Sequence, residues 1–326
     1  MTDSTQDVIN AFLAAMAEDG MIPTRPIIAD GALKRVHLEG HDPGTNNGAY
    51  ALHLDPPPSG WYQDHKWGGE IRKWRFNGTT KPMSPEEKKR FAKKVKAEQA
   101  KRDAERKAKH DAAAIHSNRV VKSFPLYDPM GSTAHKYHAA KENKGGYGER
   151  RGTWTRWVVD EHGNKVKITV FNVLLAPIYN SAGKIRNVQA IFPEVHPVLK
   201  RNKDFMPGSE LEGCFFFCGP RPTDPGCTVL ICEGVATGYT LFEQTGLRTY
   251  IAFTAGNLLA VAQIVRARLP HADIVICGDN DALTKKDPGR TKATEAAAAI
   301  KGRILIPPEP GDWNDYWIKH KDALNV

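Results

Sequence analysis

Short, continuous apolar runs alternate with helical segments in the C-terminal part of the chain. The apolar runs begin at residues 228, 249, 272 and 302, and they read TVLICEG, TYIAFTAGN, ADIVICGDND and GRILIPPE. The segments between them, ATGYTLFEQTG, LLAVAQIVRARLP and RTKATEAAAAIK, have a helical pattern. Strands that are apolar throughout and alternate with helices indicate a parallel sheet with both faces covered. We therefore predict an α/β domain over residues 227–326.

Upstream, residues 116–226 show longer alternating runs that are separated by tight turns. They predict a meander of strands over residues 153–160, 166–178 and 185–192. A basic loop, Lys200-Arg201-Asn202-Lys203, is expected to follow. We assign this part of the chain to a mixed α+β region.

Residues 1–80 predict a small α+β module that is rich in strands. A first helix begins at Ser4 or Thr5 and ends near Gly20, and short strands with Gly, Pro and Asn turns follow between residues 34 and 74. The module contains Trp61, Trp67 and Trp74. The favoured interpretation places these rings in the core of a small domain, and the alternative is stacking on nucleic-acid bases.

A long basic helix is predicted over residues 84–114, within a linker that we place at 81–115. Ser84 and Glu87 form a capping-box pattern, and no Gly or Pro interrupts residues 86–114. Residues 86–110 contain 11 Lys or Arg against 5 Asp or Glu, and few of their positions are apolar. Such a helix is either a solvated linker with ion pairs along it or an arm that contacts phosphates, and composition favours neither.

Composition narrows the class of protein. The chain has 326 residues and a net charge of +9, which favours a polyanionic partner. No apolar run is long enough to span a bilayer, and the acidic N-terminus lacks the basic start of a secretory signal. Five cysteines without a C-x-x-C pair are typical of free thiols in a reducing compartment. We expect a cytoplasmic protein with no membrane partner.

Acidic residues follow the predicted strands where each strand ends. Glu233 follows the first strand, Asp279 and Asp281 follow the third, and Asp312 and Asp315 come after the fourth. The carboxyl ends of parallel strands meet at one edge of a sheet, where such sheets bind ligands. Two carboxylates this close repel each other unless a cation lies between them, and oxygen ligands suit Mg²⁺. Taken singly, each acid could equally be a turn residue, and Asp312 could also be the N-cap of a last helix.

A Glu after the first strand together with D-x-D after the third resembles the Toprim domain, which primases, topoisomerases and some nucleases share. The motifs EGVATG, AFTAGNLLAVA, GDNDA and DWNDYW further resemble those of Toprim primases from conjugative plasmids and satellite phages. Val235 departs from the E-G-Y-A-T-G/A pattern of those primases, in which a tyrosine is usual. Upstream, Gln189 and Lys203 match the same family, whereas Asp204 stands where an arginine is common. The stretch from Arg35 to Gly68 resembles a module found ahead of such primases.

The resemblance implies a DNA primase that makes short RNA primers on single-stranded DNA, in phage or plasmid replication in a bacterial host cell. Glu233, Asp279 and Asp281 would hold Mg²⁺, or Mn²⁺ in its place, and Asp312 would be an added ligand. Glu233 could instead accept the proton of an attacking 3′-hydroxyl. A separately encoded helicase is an expected partner.

The substrates implied by the resemblance are nucleoside triphosphates, and several basic residues are candidates to contact them or the template. Lys203 has the catalytic role by its match to the family. The further candidates for binding nucleotide or nucleic acid are Lys200, Arg201 and Lys292. A solvated loop and an exposed helix are their ordinary interpretations.

Other functions remain open at this point. A Toprim nuclease would use the same metal centre to direct water at a phosphodiester, and a protein that only binds single-stranded DNA would need no active centre. A Rossmann-type nucleotide binder is less favoured because G-x-G-x-x-G is absent. The length leaves little room for the strand-passage domains of a topoisomerase, and no P-loop indicates an attached helicase.

Overall fold

The structure, a computed structural model, describes residues 5–42, 45–66, 70–77, 85–131, 134–160, 163–284 and 287–324. The chain divides into two compact units, residues 1–100 and residues 101–326. The division falls inside one long helix, α2, Pro85–Lys122. In the described residues, no helix combines the length and the apolar character that crossing a membrane requires.

The first unit is a four-stranded antiparallel sheet with one helix packed on it. The helix is α1, Thr5–Glu18, and the strands, in sheet order, are β1, Lys34–Val36, β2, Gly48–His53, β3, Ser59–Asp64, and β4, Arg72–Arg75. Phe12 and Met16 of α1 are fully buried against the sheet, where Leu52 and Tyr62 belong to the same core cluster. The predicted strand-rich module is therefore confirmed, and β4 is a strand that the sequence pattern had not singled out.

The three tryptophans of this unit have different environments. Trp74 packs on the core, with its ring centroid 5.2 Å from that of Phe12. Trp61 is half-buried and does not belong to the core cluster of the described residues. Trp67 lies outside the described residues. The interpretation that these tryptophans form the core holds for Trp74 and is wrong for Trp61.

The predicted basic helix is confirmed and is longer than expected. Helix α2 has 38 residues and continues to Lys122, into the part that we had assigned to the mixed region. The extension has a packing reason, because Ala113 and Val121 are buried with Trp154 in one core cluster of the second unit. Ser84, the predicted N-cap, lies outside the described residues.

The second unit begins with an antiparallel sheet whose four strands follow chain order. They are β5, Arg150–Val159, β6, Lys165–Tyr179, β7, Ile185–His196, and β8, Arg201–Phe205, and a short helix, α3, Lys136–Lys141, precedes them. The predicted meander is confirmed. The expected basic loop is wrong from Arg201 onward, because β8 pairs with β7 at Ala190↔Asp204 and Ile191↔Lys203.

The C-terminal part is the predicted α/β sheet. Its strands, in sheet order, are β13, Arg303–Leu305, β12, Asp273–Cys277, β10, Thr228–Cys232, β11, Thr249–Ile251, and β9, Phe216–Cys218. The helices are α4, Val235–Thr245, α5, Leu258–Arg268, α6, Pro288–Ala299, and α7, Trp313–Leu324, with a 3-10 turn at Ala255–Asn257. Four strands are parallel, and β9 is an unpredicted antiparallel edge strand next to β11.

Helices cover both faces of this sheet, as the apolar strands predict. Val235 and Tyr239 of α4 share one core cluster with Leu230, whereas Val261 of α5 and Ala296 of α6 belong to the cluster on the other face. Because β10 and β12 are neighbours, the loops that follow them leave the same edge of the sheet side by side. This topology positions the candidate site.

Candidate metal and phosphate site at the carboxyl edge of the sheet

The register of two parallel strands places Glu233 and Asp279 close together. Cys232, the last residue of β10, pairs with Cys277, the last residue of β12. Glu233 follows Cys232 directly, and Asp279 follows Cys277 after one glycine. Glu233 is the strongest charged neighbour of Asp279, and its charge contributes to raising the pKa of the Asp279 carboxyl.

Asp279 is the most perturbed acid of the site. Burial raises the pKa of its carboxyl to about 8, and the nearby charges of Glu233, Asp312 and Asp281 add to the shift. Its Oδ1 atom is buried and has no hydrogen-bond partner in the described part of the chain. A buried carboxylate oxygen without a hydrogen-bond donor destabilises the fold. This atom is therefore placed to interact with a donor or cation from outside the protein.

Glu233 has a related environment. Burial, followed by the charge of Asp281, raises the pKa of its carboxyl, while a hydrogen bond from the backbone of Ala255 and the charge of Lys203 oppose the shift. The Ala255 contact comes from the 3-10 turn that follows β11. Three neighbouring strand ends therefore contribute to the surroundings of this carboxylate.

Asp281 lies against the first turn of α6, where the backbone of that helix comes close to its carboxylate. Its Oδ2 atom accepts a hydrogen bond from the backbone N–H of Gly289 at 2.9 Å, and its own N–H donates to Oδ1 of Asp287 at 2.9 Å. A Cβ on Gly289 would lie 2.7 Å from the backbone oxygen of Asp279 and 2.9 Å from Oδ2 of Asp281. Only glycine fits this position without displacing one of the two acids.

Asn280, which lies between the two aspartates, fastens their loop to the next one. Its backbone exchanges two hydrogen bonds with Gly311, at 2.9 and 3.0 Å, and its side-chain nitrogen donates to the oxygen of Pro307 at 2.9 Å. The side chain is buried. Asn280 therefore joins the loop after β12 to the loop after β13, which brings Asp312 to the site.

Asp312 caps the last helix. Its Oδ1 atom accepts from the backbone N–H of Asp315 at 2.9 Å, which confirms the predicted N-cap. Asp315 in turn accepts from Nζ of Lys141 at 2.9 Å. Burial alone would lower the pKa of Lys141, but the bond to Asp315 and the charge of Asp312 outweigh it and raise the pKa. Lys141 is a cation of this site that the sequence did not reveal.

Lys203 faces the acids from β8. Burial, followed by repulsion from Lys141, lowers the pKa of Lys203, while the charges of Asp312, Glu233 and Asp279 oppose that shift. Its ammonium lies 5.6 Å from the centroid of the Tyr137 ring, within range of a cation–π interaction. The Tyr137 hydroxyl is buried and unpartnered among the described residues. Tyr137 is a second site residue that sequence reasoning missed.

The remaining basic candidates lie in other surroundings. Lys200 is exposed in the turn before β8. Arg201 pairs with the buried carboxylate of Asp204, which also accepts from Nε1 of Trp154 at 3.0 Å. Asp204 thus serves as a structural anion between Trp154 and Arg201. Lys292 is exposed on α6 and pairs with Glu295 at 2.7 Å.

The acids suit a hard cation that keeps some of its coordination positions for water and substrate, rather than one that protein ligands surround completely. In the ranges that the structure describes, no group of three or more His, Cys, Asp or Glu side chains is already arranged to hold a metal ion. Mg²⁺ does not need such a cage, because it uses one or two carboxylates together with waters and substrate phosphates. The unpartnered oxygen of Asp279 and the all-oxygen donor set suit that mode of binding.

Residues 228–323 match the family model described as Toprim domain. This part of the chain is a Toprim domain. Glu233 directly follows its strand β10, and Asp279 and Asp281 lie in the loop after its strand β12.

The chain resembles the DNA primases of conjugative plasmids over most of its length. It is 32% identical over 306 residues to one DNA primase TraC of Escherichia coli, and 32% identical over 286 residues to a second. These matches cover 91% and 86% of this chain, but only 26% and 18% of the two relatives. The chain thus spans about a quarter or less of the curated relatives that it matches.

Solved primase structures are also similar, at lower sequence identity than the two relatives. The DnaG primase catalytic domain bound to ssDNA matches with 13% identity and a TM-score of 0.44, over 68% of this chain and 81% of that one. The zinc-binding and RNA polymerase domains of Aquifex aeolicus primase match with 12% identity and a TM-score of 0.42, over 100% of this chain and 84% of that one.

Proposed function

We propose that this chain is a DNA primase that joins ribonucleotides into short primers on single-stranded DNA, in phage or plasmid replication. The observation that carries the proposal is the cluster around the unpartnered oxygen of Asp279, at the carboxyl edge of the Toprim sheet. The likeness to two DNA primases over most of the chain favours primer synthesis over the other reactions that a Toprim centre can direct. The relatives are much longer, so the activity of this part alone is itself part of the proposal.

In this proposal, Glu233, Asp279 and Asp281 hold Mg²⁺ or Mn²⁺, and Asp312 contributes its charge or an added ligand. The metal, when bound, would stabilise negative charge on the transferring and leaving phosphates. The chain's own contribution is the arrangement of the acids, since Asn280 and Gly289 fix the loop that carries Asp279 and Asp281. Glu233 is the alternative acceptor for the proton of the attacking hydroxyl.

Lys203 would bind the triphosphate beside the metal. Its side chain is half-buried and its ammonium faces the acids, so an incoming polyphosphate would meet both a cation and a metal there. Lys200 and Arg201 precede it and would contact the template or the nucleotide. Lys292 is the most remote candidate, because it is exposed and paired with Glu295.

In this proposal the chain has four parts: a module at 1–80, a linker helix at 81–115, a mixed region at 116–226 and the Toprim domain at 227–326. The basic helix α2 would bind the template. The surplus of Lys and Arg over residues 86–110 supports this role. Deletion of residues 84–114 should weaken binding to single-stranded DNA and reduce its salt dependence. Unchanged affinity and salt slope would remove the helix from template binding. A separate helicase is the further partner that we propose.

One assay separates primase from the alternatives. Single-stranded DNA, labelled ribonucleoside or deoxyribonucleoside triphosphates and Mg²⁺ are incubated with the wild type or with the variant Asp279→Asn/Asp281→Asn. Short products that the variant does not make support primase, and the choice of triphosphate shows whether they are RNA. Template degradation that the variant loses would instead support a nuclease. Binding without either activity would leave a single-strand-binding protein.

A further inference from the structure

One face of the first unit's sheet carries an aromatic ring between basic side chains. Side chains alternate between the two faces along a strand. The Tyr62 hydroxyl donates to the backbone oxygen of Ala15 at 3.0 Å, so Tyr62 points towards α1. Trp61, its neighbour in β3, therefore lies on the opposite face, which we call the outer face.

The strand register brings two cations onto the outer face beside Trp61. Trp61 pairs directly with Lys73 of β4, and Ser59 pairs with Arg75. Residues that pair directly have Cβ atoms roughly 5 Å apart on the same face. Trp74, between Lys73 and Arg75, alternates to the inner side, where it contacts Phe12. The outer face thus presents an indole with a cation directly beside it and another one strand position along.

The outer face is concave and its cations are available. A cavity of about 560 Å³ lies there, lined among others by His53, Trp61, Ile71, Lys73 and Arg75. Lys73 and Arg75 are exposed, and no carboxylate of the described ranges forms an ion pair with either. Ile71 is 55% exposed, which leaves apolar surface beside the indole.

We propose that the outer face binds single-stranded nucleic acid, with a base stacked on Trp61 and phosphates held by Lys73 and Arg75. Aromatic rings that bases stack on, together with cations that follow the backbone, are what sequence-tolerant single-strand binding requires. A duplex could not use the ring in this way, because its bases are already stacked on one another. A site here would hold a strand on the first unit, in addition to the Toprim site on the second.

Another exposed aromatic face makes a rival location. Trp157 is 65% exposed and pairs with Lys167 on the hairpin of β5 and β6, where Phe171 is 69% exposed. This location also has a cavity, of about 540 Å³, and two exposed lysines, Lys167 opposite the ring and Lys165 one strand position along. The outer face differs in that three adjacent strands line its cavity, whereas two strands line the cavity beside Trp157. The two locations are separable by mutation, since they lie on different sheets.

The test uses the full chain and a short fluorescent oligothymidylate or oligouridylate, with affinity measured by anisotropy in EDTA over a series of salt concentrations. Trp61→Leu should weaken binding roughly 5- to 150-fold, the range for loss of one stacked base. Lys73→Gln/Arg75→Gln should reduce the slope of log affinity against log salt by about 1.4, since each single-strand phosphate contact contributes roughly 0.7. The second variant changes only exposed side chains, so it tests the proposal even if Trp61→Leu unfolds the first unit.

A charge-matched control is Arg25→Gln/Arg221→Gln, which removes two exposed cations from elsewhere. We expect this control and Trp157→Leu to bind with wild-type affinity and slope. The proposal is overturned if the Lys73/Arg75 variant behaves like the control, if Trp157→Leu causes the loss instead, or if a duplex of equal length competes as well as the single strand. Binding is read without nucleotides, so failure of primer synthesis would leave this inference standing.

Discussion

The acidic site should make the metal-free protein less stable as pH rises, and Asp279→Asn should remove much of that penalty. The pKa of Asp279 is raised from 3.8 to about 8 in the folded chain. A carboxyl with a raised folded pKa keeps its proton in the folded state after the unfolded state has lost it. Stability therefore falls as pH rises from about 4 to about 8, and the loss is complete above the folded pKa.

The magnitude follows from the shift of about 4 pKa units. At ~1.4 kcal/mol per unit, the full penalty is about 6 kcal/mol. Solvent reaches part of the Asp279 side chain and neighbouring groups can relax, so we expect about 2–4 kcal/mol of measured gain in the neutral variant. Asparagine keeps the shape of the side chain and carries no charge, so little else changes at the site.

The assay is urea unfolding of the wild type and Asp279→Asn in EDTA, at a series of pH values from 5 to about 9, the window set by the shift. We expect the variant to be more stable at every pH above about 5, by an amount that grows until about pH 8 and then levels off. Asp322→Asn, which neutralises an exposed acid on α7, is the matched control and should show no such growth. A variant that is no more stable than the wild type at pH 8.5 or above would refute the electrostatic reasoning.

Three further predictions concern residues around the acids. Gly289→Ala places a Cβ 2.7 Å from the backbone oxygen of Asp279, so it should lower Mg²⁺ affinity and primer synthesis at least about tenfold. The control Gly256→Ala adds its Cβ in open space and should change neither. Tyr137→Leu removes the ring beside Lys203 and should raise the apparent KM for nucleoside triphosphate by about 2- to 30-fold, while Tyr137→Phe should stay near wild type. Asn280→Ala strands the oxygen of Pro307 and should cost ~2–3 kcal/mol in urea unfolding; equal stability would show that this fastening contributes nothing.

The architecture of the C-terminal part was predictable because its signal is local. Each parallel strand lies in a continuous apolar run, and two of the runs end at a Gly beside an acid, so the sheet and the positions of Glu233 and Asp279 both followed from the sequence. Strand β9 was not predicted, because it has only three residues and pairs with β11 at the edge of the sheet. Strand β8 was taken for a loop because its basic residues have no strand pattern, and pairing with β7 decides its structure.

The supporting residues of the site were not predictable, because contacts between distant parts of the chain decide their roles. Tyr137 and Lys141 come from a six-residue helix nearly 100 residues before Glu233, and no local motif marks them. Asn280 joins two loops, and this function depends on Gly311 and Pro307 in the following loop. Lys203 was named through the family resemblance, and its position beside the acids comes from the pairing of β7 with β8.

The burial and the repulsion that weaken the metal-free fold should both be offset when a cation binds, so the stability order of wild type and Asp279→Asn should reverse in Mg²⁺. A cation that binds only the folded state stabilises it by an amount that grows with its concentration. In the wild type the cation also relieves the repulsion between Asp279 and Glu233. In Asp279→Asn there is less repulsion to relieve, and the site has one carboxylate ligand fewer. We therefore expect saturating Mg²⁺ at pH 8 to raise the wild type's unfolding midpoint much more than the variant's. Equal increases would place the metal away from Asp279, even if the variant had shown the predicted gain in EDTA.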